Sequence, residues 1–64
     1  MKLKNLLPLV GNCHLTIWRT DCKGRLRVVT QGFSRNDEKF ESVKKCEVTK
    51  IRPSYNGTLS ITVE

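Results

Sequence analysis

The chain lacks an apolar run able to span a bilayer. Its most apolar stretch, LLPLV, is interrupted by Pro8 and closed by Gly11, far short of the roughly 20 residues a membrane helix needs. Lys2 and Lys4 ahead of it imitate a secretory signal, but the apolar region is too short and no small-residue cleavage site follows before Asn12. A cytoplasmic, non-membrane protein is expected. The four glycines never cluster, which excludes a phosphate-cradling loop. Histidine occurs once, as His14 beside Cys13. Neighbours on a strand point to opposite faces, so these two make no nucleophile and base pair, and a buried thiol beside a solvated imidazole is expected. Cysteine is odd in number and irregular in spacing, which fits free thiols in a reducing compartment rather than a disulfide framework. Cys13, His14, Cys22 and Cys46 also lack the paired spacing of a zinc knuckle. The expectation is a protein that is not an enzyme and carries no metal or cofactor. Repeats, low-complexity tracts, helix-turn-helix patterning and ribonucleoprotein aromatic motifs are missing too.

What is present is an ordinary globular mixture, 38% hydrophobic and 28% charged, so residues 1–64 are expected to fold as one small domain. A domain of this size buries only about 60% of its unfolded surface, and self-association is the readiest extra stabilisation. Net charge is +6. Between residues 35 and 47, Arg35, Lys39, Lys44 and Lys45 are offset by Asp37, Glu38, Glu41 and Glu47. The excess lies in Lys2 and Lys4, in Arg19, Lys23, Arg25 and Arg27 against Asp21, and in Lys50 and Arg52. One basic side and one balanced side follow.

Leu3, Leu6, Leu7 and Val10 recur at helical spacing and predict a short N-terminal helix, which Pro8 forces either to start late behind Asn5 or to end near Leu7. From Leu15 the pattern alternates, and Asp21-Cys22-Lys23-Gly24 reads as a four-residue hairpin loop with Cys22 exposed at its tip. That loop sets Ile17 opposite Val28, Arg19 opposite Leu26 and Trp18 opposite Arg27. Leu15, Ile17, Leu26 and Val28 then form the core face. A slip of one residue would exchange the faces. Ser34 or Asn36 can cap a middle helix at about 36–44 that buries Phe40 and Val43, with Phe33 joining them as a hydrophobic staple. The last segment reads as a second hairpin with a three-residue loop, Tyr55-Asn56-Gly57, which places Ile51 opposite Ile61 and Pro53 opposite Leu59. Val48 falls on the wrong parity, which suggests a bulge or a second apolar contact on the back of the sheet. The expected fold is α+β: a small antiparallel sheet from two hairpins, about 13–31 and 46–64, with a short N-terminal helix and a short middle helix.

The strongest chemical feature is a basic aromatic face. Trp18 opposite Arg27, with Arg25 diagonal to it, pairs a stacking surface with guanidinium groups, as an anionic ligand or a nucleic acid requires. Arg19, Lys23, His14, Lys50 and Arg52 complete the candidate binding set. The same pairing also stabilises ordinary sheets, and with Val29 beside Thr16 this face equally suits a subunit interface. Tyr55 is a further stacking candidate at the second turn.

The opening MKLKNLLPLV, the hairpin with an acidic-to-glycine turn, and EVTKI followed by GTLSITV resemble small uncharacterised proteins of phages and prophages of Gram-positive bacteria, with a departure from them at Asn5. The resemblance implies a phage accessory protein and carries no catalytic residues. It suggests a stoichiometric binder: a counter-defence inhibitor or sponge that engages a nucleotide signal or the nucleic-acid site of a host protein. Direct DNA or RNA binding and structural self-assembly are the alternatives.

Overall fold

The computed structural model describes residues 1–54 and 57–64. Leu3, Leu6 and Leu7 set the first element: α1 spans Leu3–Leu6 and tightens into a 3-10 turn over Leu7–Leu9, and all three leucines are buried. Pro8 sits in the first turn of that 3-10 segment, where its missing N–H breaks no helical bond. No side chain caps α1. Its leading amides are satisfied by another part of the chain, Leu3 N–H donating to the Cys46 carbonyl and Lys4 N–H to that of Lys44, both at 3.0 Å. The helix is thereby stitched to the segment ahead of the third strand.

Four strands follow: β1 (His14–Thr20), β2 (Leu26–Phe33), β3 (Val48–Pro53) and β4 (Thr58–Val63). Their order in the sheet is β2-β1-β4-β3. β1 with β2 and β3 with β4 are antiparallel, but the central pair, β1 with β4, is parallel. The sheet is therefore mixed rather than wholly antiparallel. Burial follows the arrangement: Leu15 and Ile17 stand beside Leu59 and Ile61 in the middle of the sheet, and the more exposed β2 and β3 form the edges. Leu15, Ile17, Ile61, Val63, Phe40, Val43 and Leu3 are shielded almost completely and pack into one cluster on a single face of the sheet.

The middle segment buries Phe40 and Val43 as their spacing demands, but it is not a helix over 36–44. It is a 3-10 turn, Asp37–Phe40, continued by successive turns in which Val43 N–H donates to the Phe40 carbonyl and Cys46 N–H to that of Val43. Both its ends are tied down. Ser34 N–H donates to the Cys13 carbonyl, and the carbonyls of Lys44 and Cys46 serve α1. Asn36 caps with its backbone position alone, while the buried Ser34 hydroxyl donates to the Gly11 carbonyl and accepts the Cys13 N–H. Phe33 does not join the core. It is 58% exposed on the opposite face.

The register between β1 and β2 also differs from the expected one. Gly24, at φ +81, lets a turn close with Gly24 N–H on the Asp21 carbonyl and Asp21 N–H on the Arg25 carbonyl, leaving a loop of three residues instead of four. Trp18 then faces Val28, Arg19 faces Arg27 and Thr20 faces Leu26. Leu26 and Val28 are consequently 55% and 47% exposed rather than core. Beyond Trp18 the register shifts again: Val29 has no partner, Ile17 faces Thr30 and His14 faces Phe33. In the second pair of strands Ile51 stands opposite Ile61 and Pro53 opposite Leu59, and a shift between Val48 and Lys50 selects the bulge from the two alternatives for Val48. The turn residues Tyr55 and Asn56, including the stacking role considered for Tyr55, lie outside the described residues. Among the described residues no helix is long and apolar enough to cross a membrane.

Candidate functional site

The helical segments cover one face of the sheet and leave the other open. The open face follows from strand alternation, and its rows can be read across the four strands. One row is Val28, Trp18, Thr62 and Lys50; the next is Gln31, Thr16, Ser60 and Arg52; a third is Phe33, His14 and Thr58. Apolar side chains therefore gather toward β2, hydroxyls along β4 and cations on β3. None of these strand residues is acidic.

Trp18, Leu26, Lys50, Arg52, Ser60 and Thr62 line an open concavity of about 380 Å³. Trp18 is half-buried and lines this concavity, so part of its side chain stays accessible. Such a site offers an aromatic surface for stacking, two basic side chains on one flank and hydroxyls that both donate and accept.

Of the residues singled out from the sequence, the fold brings Trp18, Lys50 and Arg52 together and places His14 on the same face. It separates the others. Arg19 and Arg27 pair across the two strands on the opposite side, and Arg27 Nε donates to Asp21 Oδ2 at 2.9 Å. Lys23 and Arg25 lie in the turn, their backbone N–H groups both donating to Asp21 Oδ1 at 2.9 Å. The guanidinium of Arg27, then the Arg25 amide, hold the Asp21 carboxyl below its ordinary value, with a smaller contribution from the Lys23 amide and partial opposition from desolvation. Arg25 and Arg27 thus do not flank Trp18, because the one-residue change in register turns them away from it.

His14 is half-buried rather than fully solvated. Its ring meets Phe33 edge-on, with centroids 5.4 Å apart at 88°, and its Nδ1 is buried without a hydrogen-bond partner. Cys13, Cys22 and Cys46 are free thiols, and among the described residues no three His, Cys, Asp or Glu side chains converge as metal ligands.

Leu26, Phe33, Ser60 and Thr62 were not anticipated in this face. The alternation in TLSITV does set Ser60 and Thr62 opposite to Leu59, Ile61 and Val63, but no local signal places them next to Trp18. That adjacency arises only from the parallel pairing of β1 with β4. A second concavity, lined by Lys4, Leu7, Pro8, Ser34 and Lys44, is less suited to a ligand: the Ser34 hydroxyl is already engaged, and Lys44 Nζ lies 3.2 Å from Glu41. No family model, curated protein or solved structure matches the chain, so the open face is read from its own chemistry.

Proposed function

We propose that the protein is a non-enzymatic binder that acts by occupancy and takes a nucleotide-type anionic ligand on the open face of its sheet. One observation carries this reading: Trp18 shares a concavity with Lys50, Arg52 and the Ser60 and Thr62 hydroxyls. A base stacks on the indole, phosphate meets the two cations, and the hydroxyls bond to the ligand's polar edge. The only imidazole on the face is packed against Phe33, so the face is equipped to hold a ligand rather than to transform it. The resemblance to small phage proteins supports reading it as a phage-type accessory protein of the host cytoplasm, a counter-defence sponge or inhibitor of a nucleotide-using host protein.

A second reading, self-association, is favoured by the edge strand β2, where Leu26, Val28, Val29 and Phe33 are all exposed. Trp18 fluorescence separates the two readings. Titration at low salt with a nucleoside triphosphate and a short oligothymidylate should quench the indole, and the ligand should be recovered intact. Quenching that depends on protein concentration alone, with a mass above that of the monomer, would support self-association. A cleaved ligand would overturn the occupancy reading.

A further inference from the structure

Because the open face continues past the concavity, we infer that its ligand is an unpaired nucleic-acid strand of about three nucleotides, laid along the sheet from Trp18 to Phe33. This rests on the proposed nucleotide-type reading of the face. The two ring surfaces occupy opposite ends of it, four residues apart along β1, which is about 13 Å at the usual strand rise. A single nucleotide has one base and cannot use both. Phe33 is 58% exposed beside the His14 ring, which stands at 88° to it, so it offers a second aromatic surface on this face.

The cations run alongside. Lys50 and Arg52 are two residues apart on the same side of β3, in the rows of Trp18 and Thr16, a separation of roughly 7 Å. A strand with its bases toward β1 and β2 and its phosphates toward β3 meets a cation at each of two consecutive steps. Thr16 and Gln31, in the row between the platforms, offer hydrogen bonds to the edge of the middle base. Duplex nucleic acid does not satisfy this arrangement. Its base faces are already stacked, and the only α-helix among the described residues is four residues long and packs on the covered face, so no helix is available to enter a major groove.

The test is a length series on the intact protein, read by Trp18 quenching and by competition: thymidylates of one, three and six nucleotides, the matching uridylates, and a short duplex. Affinity should rise at least tenfold from one nucleotide to three and much less from three to six. Its logarithm should fall with the logarithm of salt with a slope near −1.4, for two phosphate contacts on a single strand. Phe33→Ala should weaken the trimer about fivefold or more and the monomer far less, and it should leave the fold intact because the ring lies outside the core. A preference for either sugar series supports the strand and names its type. A monomer bound as tightly as the trimer, with Trp18 still required, overturns the strand but leaves the nucleotide reading standing. A preference for duplex overturns the strand as well. Absence of quenching by every probe overturns both.

Discussion

Arg27 Nε lies 2.9 Å from Asp21 Oδ2, on the side of the sheet away from Trp18. Asp21 closes the turn with its other oxygen, bonding the amides of Lys23 and Arg25. The turn therefore spans three residues and commits the register, and the arginines nearest to Trp18 in sequence end up turned away from it.

The lowered pKa of the Asp21 carboxyl makes a pH-dependent contribution to stability. The folded state holds the carboxylate more strongly than the unfolded chain, so the contribution is complete above the ordinary value of 3.8 and is lost as pH falls through the depressed folded value. Thermal unfolding followed by circular dichroism should show a midpoint that declines below about pH 4. Asp21→Asn, which keeps an oxygen for the turn amides and loses the charge, should flatten that decline. An acid limb as steep in Asp21→Asn as in the parent would mean that Asp21 is not its source.

The two groups of cations should behave differently toward a ligand. Lys50→Ala with Arg52→Ala should lower affinity for an oligonucleotide at least tenfold and remove most of its salt dependence. Arg25→Ala with Arg27→Ala should change affinity less than about threefold, since only nonspecific long-range attraction is lost. The opposite ranking, measured by fluorescence titration at two salt concentrations, would place the ligand on the far side of the sheet.

How far the fold could be read from the sequence depends on the range of the interaction. Leu3, Leu6, Leu15, Ile17, Phe40, Val43, Ile61 and Val63 announce their burial through local periodicity, and the facing of Ile51 with Ile61 follows from matching two apolar rows. The β1 and β2 register was less accessible, because loops of three and four residues fit the same Asp-to-Gly stretch and differ only in where Asp21 sends its hydrogen bonds. The parallel contact of β1 with β4 has no local signature at all, since it joins segments about 40 residues apart. The candidate site inherits that limit. Trp18, Lys50 and Arg52 were each visible as candidates, but their meeting depends on the one pairing that local pattern does not encode.

Core and open face should separate cleanly in stability. Ile17→Val, at a fully buried position, should cost about 1 kcal/mol in denaturant unfolding. Phe40→Ala should cost about 3–5 kcal/mol, enough to unfold much of a domain this small. Val28→Thr, on the open face, should stay within about 0.5 kcal/mol of the parent. Equal losses at Ile17 and Val28 would restore the register in which both face the core.

Gly32 tests the packing behind the sheet. It is buried opposite Leu15, and a Cβ built there would lie 2.7 Å from Lys39 Cδ, so the lysine stem crosses the glycine at close range. Ordinarily, replacing a strand glycine by alanine gains about 0.5–1 kcal/mol by restricting the unfolded chain. Gly32→Ala should keep most of that gain in the parent, because the atoms in its way are the far end of the exposed Lys39 side chain, which can swing aside. A double-mutant cycle of chemical denaturation with Lys39→Ala should therefore be additive within about 0.5 kcal/mol. A larger coupling would mean that packing holds the Lys39 stem across Gly32 in solution.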